Sequence, residues 1–234
     1  MSGLNSAIVT AAASLTAQGD VLGAVADNIA NANTPGYKRQ IATLIDQGVA
    51  IPEVFLRRDF SQGPVVPTGN PNDLAVEGNG FFQVALPNGQ TAYTRDGSLG
   101  LSPNAALVDV NGNPIVGPIQ VNPAGGPLTV AADGTVSQTI NGATQVLGRV
   151  QLATFTNPGG LAAQSGNDFS PTFASGQAIP GGDGSQVVQG AIEGSNVDLA
   201  QEFVTMITAK TVYEASARVI TTASSMEAEL LRIV

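Results

Sequence analysis

The chain has 234 residues, a formal charge of −9 at pH 7, and only 12% charged residues. That balance leaves no basic surface for nucleic acid or anionic lipid, while the length is ample to bury a core in one large domain or two small ones. Histidine, cysteine and tryptophan are absent. Their absence removes the commonest general base, the commonest metal ligands and the thiol nucleophile, and leaves no thiol to report a redox compartment.

From Leu4 the apolar positions run Leu4, Ile8, Ala11, Leu15, Leu22, Val25 and Ile29, in steps of four and three with Gln18 in the one skipped place. This heptad predicts a helix over residues 3–32, about 45 Å long, with one seam for a partner helix. The outer face carries Ser, Thr, Asn and Gln rather than charges, so it too is suited to burial. The seam is compatible with a hairpin formed with the C-terminal helix and with packing in a many-subunit helical array. The first charge is Asp20 and small polar residues interrupt the apolar ones. The N-terminus is therefore read as neither a secretory signal nor a membrane span.

The helix is expected to stop within Asn28–Arg39, NIANANTPGYKR. Pro35 cannot continue it and pushes Thr34 out of the α region. Gly36 supplies freedom for a positive φ, and Lys38 and Arg39 suit the negative end of the helix dipole. Residues 40–69 form a short mixed segment with Ile41, Leu44, Ile45, Val54, Phe55 and Leu56, followed by Arg57 and Arg58.

From Asp73 to about Gln189 the signals are those of an antiparallel β domain. Asn88-Gly89, Asp96-Gly97, Asn111-Gly112, Asp133-Gly134 and Asn141-Gly142 are hairpin-type turn pairs. Between them lie strand candidates at Phe81–Leu86, Ala106–Val110, Leu128–Ala131, Thr135–Ile140 and Gln145–Phe155. Phe81 and Phe82 are adjacent and so face opposite sides of a strand; both are expected in the core. The Gly-, Ser- and Pro-rich stretch Leu161–Gly184 reads as a loop over the domain surface.

A second helical pattern runs from about Asp198 to Val234, with Ser195 and Asp198 spaced as a capping box. Two apolar stripes follow. Leu199, Phe203, Met206, Tyr213 and Ile220 form one, and Val212, Val219, Met226, Leu230 and Ile233 the other. Two stripes imply more than one packing partner. Lys210–Glu214 and Glu214–Arg218 are spaced for helical ion pairs.

Nothing in the chain spells an active site. It holds no phosphate loop, no Gly-x-Ser-x-Gly elbow and no metal-ligand spacing. Gly78 and Gly80 lack the third glycine of a dinucleotide fingerprint, and Gly181-Gly-Asp-Gly184 is a single glycine turn without tandem neighbours. The carboxylates are scattered. No enzyme activity, cofactor or metal is expected.

The run Asn28-Ile-Ala-Asn31-Ala-Asn33-Thr34-Pro35-Gly36-Tyr37-Lys38-Arg39 resembles the signature of the bacterial flagellar rod and hook axial proteins. Thr68–Val84 (TGNPNDLAVEGNGFFQV) and Tyr93–Ser98 (YTRDGS) resemble the blocks that open that family's β domain. Glu193-Gly-Ser-Asn-Val-Asp-Leu, Glu202–Ile207, Tyr213-Glu214 and Arg218–Thr222 resemble its C-terminal helix. The blocks occur in family order at both ends and at the start of the middle.

The resemblance implies an α+β fold. Residues 1–34 and 195–234 would form a discontinuous terminal coiled-coil domain, 35–72 a connector and 73–194 an inserted antiparallel β-rich outer domain. The connector is shorter than in the family's distal rod proteins. The implied role is a structural rod subunit that polymerises into a helical tube, transmitting torque and enclosing the export channel. The distal rod is the first choice and the proximal rod the second; hook subunits generally carry a further outer domain. The assembly interface is expected at Leu4, Ile8, Leu15, Leu22, Val25, Ile29, Leu199, Phe203, Met206, Tyr213, Val219, Ile220, Met226 and Leu230. The family motif is Asn28, Asn31, Asn33, Thr34, Pro35, Gly36, Tyr37 and Lys38.

Implied partners are further copies in a homopolymer, the neighbouring rod and hook axial proteins, and the basal-body ring proteins around them, with no nucleic acid. The implied location is the flagellar basal body, reached by export without a cleavable signal, and the termini would be disordered before assembly. An alternative of another class is a free coiled-coil oligomer displaying a β binding module.

Overall fold

The computed structural model describes residues 2–46, 52–117, 119–164 and 167–233. The chain divides into two compact units, one of Met1–Ala32, Arg39–Asp59 and Val197–Val234, the other of Asn33–Lys38 and Phe60–Asn196.

The first unit holds helix α1 (Ser2–Ala30), strands β1 (Gln40–Asp46) and β2 (Pro52–Arg58), and helix α2 (Leu199–Ile233). α1 ends in a turn in which Asn31 N–H donates to the Asp27 and Asn28 carbonyls, four residues before Pro35. By length and composition alone α1 would pass as a membrane span. Here it packs against α2, with Val21, Val25 and Ala209 at the centre of the contact. The stretch read as a mixed segment contains an antiparallel hairpin, paired from Gln40–Arg58 to Asp46–Pro52. Its Ala42 and Val54 lean on the helices, while Leu44, Ile45, Phe55 and Leu56 face outward.

α2 begins three residues later than the Ser195 capping reading requires. Asp198 is its cap: Asp198 Oδ1 accepts from Ala200 N–H at 2.9 Å and Gln201 N–H at 3.3 Å. A carboxylate beside the free N–H groups also suits the positive end of the dipole, which is why it displaces the serine. The Lys210–Glu214 pair forms at 3.7 Å on the exposed surface.

The second unit is antiparallel β. A six-stranded sheet runs in the order 162–163, 168–170, 91–94, 81–85, 152–154, 179–180, and a three-stranded sheet joins 143–149, 135–140 and 128–130. Phe81 and Phe82 are both buried, on opposite faces as the pleat demands. Phe82 packs with Leu74, Val84, Leu107, Ile119 and Val136 in the larger core. Phe81 joins Tyr93, Phe155 and Phe169 in an aromatic core whose rings meet edge to face, with Phe60 added from the flank.

Gly89, Gly112, Gly134 and Gly142 take positive φ at the turns read from the sequence. Asp96-Gly97 is not a hairpin turn. Gly97 accepts from Leu74 N–H at 2.9 Å, and its α-carbon lies so close to the Leu74 carbonyl that a Cβ would collide with it. The strand read as Gln145–Phe155 is two, Ala143–Arg149 and Leu152–Thr154, which belong to different sheets. Leu161–Gly184 is also more than a surface loop: it supplies three short strands, and Leu161 and Phe169 are buried in the aromatic core.

Candidate assembly interface

The helix pair is sewn together by small side chains. On α2 the buried positions are Glu202, Ala209, Ser216 and Ala223, a strict seven-residue repeat. On α1 they are Ala11, Ala17, Gln18, Val21, Ala24, Val25 and Asn28. Ser216 Oγ and Ser14 Oγ hydrogen-bond at 3.0 Å across the seam. Alanine and serine let two backbones approach closely, so the contact is tight but buries little apolar area per residue.

The larger apolar residues are directed elsewhere. Of the positions expected at an interface, Val25 is buried in the helix pair, and Leu4, Ile8, Leu15, Leu22, Ile29, Met206 and Ile220 are half-buried along its flanks. Leu199, Phe203, Tyr213, Val219, Met226 and Leu230 are exposed. Val204, Ile207, Val212 and Leu231 join them, with Ile207 65% and Leu231 70% exposed. An open apolar groove of about 580 Å³ runs between the helices, lined among others by Ala7, Ala11, Val212, Ala215 and Val219. This much apolar surface on one long helix is far beyond the scattered residues that a free surface tolerates.

The motif 28–39 lies where the chain passes from one unit to the other and back. On the helical side, Asn28 pairs with the Gln40 backbone as a strand would. Its Nδ2 donates to the Gln40 carbonyl at 2.8 Å and its Oδ1 accepts from Gln40 N–H at 2.8 Å. Asn31 Nδ2 donates to the Asp27 carbonyl at 2.9 Å. Arg39 Nε donates to Glu202 at 2.5 Å and Arg39 Nη1 to Gln201 Oε1 at 3.3 Å.

On the β side, Gly36 has φ +66° and lies so near the Arg95–Asp96 peptide that no Cβ fits. Its N–H donates to the Glu193 carbonyl at 2.8 Å, and Asn167 Nδ2 donates to the Pro35 carbonyl at 3.1 Å. Tyr37 is buried, Thr34 half-buried and Asn33 exposed.

Lys38 is not at the helix end, where the dipole argument placed it. It is wholly buried and its Nζ donates to Glu193 Oε1 at 2.6 Å and to the Ser61 carbonyl at 2.7 Å. Glu193 Oε1 also accepts from Gly63 N–H at 2.8 Å, while Oε2 accepts from Arg95 Nη1 at 3.0 Å. Arg95 Nη2 donates to the Gly78 carbonyl at 2.8 Å, and the guanidinium lies 4.8 Å above the Phe81 ring. A buried carboxylate attracts a cation far more strongly than the screened end of a helix can, so the lysine goes to Glu193. Burial lowers the Arg95 pKa from its ordinary value, and Glu193 opposes the shift through its charge and its hydrogen bond.

Close by in sequence to the motif's neighbours, Asp96, Asp109 and Asp168 are all buried. Burial pushes the Asp168 carboxyl up to about 6, with the charges of Asp109 and Asp96 adding to the rise. Burial raises Asp96 as well, against its hydrogen bonds to Ser98. Among the described residues no group of three or more acidic side chains is placed to hold a metal.

Three family models match consecutive parts of the chain. They are a flagella basal body rod protein model over residues 8–38, a flagellar hook protein FlgE/F/G D1 domain model over 75–138, and a flagellar basal body rod FlgEFG protein C-terminal model over 188–233. The flagellar basal-body rod protein FlgG of Buchnera aphidicola (subspecies Baizongia pistaciae) is 36% identical, covering 91% of this chain and 93% of the relative. That of Borreliella burgdorferi is 35% identical, covering 94% and 95%. FlgF of Caulobacter vibrioides is 36% identical over 83% of each chain. The chain belongs to the flagellar basal-body rod protein family.

Two sets of rod-family residues lay outside the sequence expectation. Arg95 and Glu193 sit inside blocks that carry the resemblance, yet only the fold brings them to Lys38. The small-residue seam Ala209, Ser216 and Ala223 does have a sequence signal, its seven-residue spacing, which the larger side chains beside it masked.

Proposed function

We propose that this chain is a structural subunit of the flagellar rod, at the distal position, and that it polymerises through its terminal helices into a tube. The observation that carries the reading is the division of labour on α2: small residues bind α1 within the chain, and large apolar residues face outward. A monomer would bury such residues; a subunit keeps them for its neighbours. The likeness to FlgG proteins over more than nine-tenths of the chain supports the distal position. In this reading the paired helices form the inner wall, coiled-coil-like, and the β unit forms the layer around it. The partners are further copies and the adjoining axial proteins. Close-packed helical interfaces transmit strain, so torque passes outward without a chemical step.

Immunogold electron microscopy of hook–basal bodies, with antibody raised against residues 73–189, tests the reading. Gold on the rod is expected, at a height near the hook. Label confined to the hook would overturn the rod position. Rods bare of label even after the rings are stripped would overturn the axial role.

A further inference from the structure

Phe173 stands at the tip of the turn 171–175 with its side chain wholly in solvent, at 106% relative exposure. The turn is braced from within. Thr172 Oγ1 donates to the Gly160 carbonyl at 2.5 Å and accepts from Ala174 N–H and Ser175 N–H. Ser175, itself fully buried, accepts from Thr172 N–H at 2.8 Å through Oγ, and Asn157 Nδ2 donates to the Ala174 carbonyl at 3.0 Å. An aromatic side chain on a rigid turn loses little conformational freedom on docking, which makes it an effective anchor.

The same unit carries a pocket of about 210 Å³, lined by Pro71, Leu101, Val121, Pro123, Pro127 and Leu128 with a few polar neighbours. Roughly 150 Å³ suffices for a benzene ring. No charged residue lines the pocket, and none occurs from Ser170 to Gln177. In a chain of net charge −9, these are surfaces on which two copies can meet without bringing like charges together.

Resting on the rod-subunit reading above, we propose that Phe173 of one copy seats in the proline-lined pocket of a second copy. Knob and hole lie on one chain, so each copy gives one contact and receives one. A contact of this heterologous kind need not close, and repeated it yields an open helical filament.

The chain has no cysteine, so disulfide trapping is unambiguous. Rods would be isolated from cells whose only copy of the chain carries both Phe173→Cys and Pro127→Cys, then oxidised. A ladder of cross-linked multimers is expected, with neither single variant giving one. Phe173→Ala is expected to lower the recovered rods at least tenfold, with Phe173→Leu restoring most of them. The β-unit melting temperature should be unchanged in both, since the side chain touches nothing in its own chain. Normal rods from Phe173→Ala with no ladder would overturn the contact while leaving the rod role intact. Dimers from Phe173→Cys alone would overturn the pocket as acceptor. Absence of the unmodified chain from rods would instead overturn the underlying reading.

Discussion

Glu193 is the residue on which the motif turns. It is buried, and it holds two buried cations, Lys38 and Arg95, with one carboxylate. Removing its charge would strand both, and breaking such a pair typically costs about 3–5 kcal/mol. Glu193→Gln is therefore expected to lower the unfolding midpoint of the β unit sharply in urea. Lys38→Met should cost less, because Arg95 still neutralises the carboxylate; a larger loss from Lys38→Met would refute this ordering. Asp168 acts in the opposite sense. Its pKa is raised in the fold to about 6, above the usual carboxylate value, so the folded chain binds the proton more tightly than the unfolded one. Its contribution is full at acid pH and is lost as pH rises from about 4 through 6. Asp168→Asn should thus stabilise the protein at pH 7, by an amount of the order of 2 kcal/mol. It should also flatten the fall in stability between pH 4 and 6. Urea melts across that range would reveal either an intact slope or its loss.

At the scale of the element, α2 presents two surfaces with different tasks. Ala223 lies in the close seam against α1, where added volume forces the helices apart. Ala223→Leu should block assembly while the β unit melts as before. Phe203, exposed by half, belongs to the outward face. Phe203→Ser should leave the isolated chain as stable as the original, yet lower rod incorporation and motility. Equal motility with Phe203→Ser would remove that residue from the interface. The two substitutions separate packing within a chain from packing between chains, and quantitative gold labelling of rods reads both.

Over the whole molecule, apolar burial is unevenly shared. The β unit has two cores, one of them dense in aromatic rings, whereas the helical unit centres on Val21, Val25 and Ala209. Long helices held by so little apolar burial are expected to open readily when alone. In dilute monomer, amide hydrogens of residues 2–30 and 199–233 should exchange fast while those of 81–94 and 128–154 stay protected. In the rod the helices should gain protection. Helices already protected in the monomer would contradict coupled folding and assembly.

The strongest local signals were legible in the sequence. Heptad spacing placed both long helices, because a buried stripe imposes its period on the chain wherever it packs. Asn-Gly and Asp-Gly pairs marked the turns between 81 and 143, since positive φ is cheap there. Adjacent Phe81 and Phe82 announced a strand buried on both faces. What stayed hidden depended on residues distant in the chain. The Gln145–Phe155 run looked continuous, but its halves pair with different sheets. Ser195 and Asp198 were equal candidates for the cap until the helix start distinguished them. The heptad did not say which side chains face the partner helix, because alanine and leucine both satisfy an apolar pattern; only close backbone approach selects the smaller. Composition and periodicity thus determined the helices, the β insert and the expectation of no catalysis. The tertiary structure alone decided that Lys38 meets Glu193 and Arg95, across 155 and 98 residues of sequence separation from that glutamate, because burial makes a charge seek its partner in space.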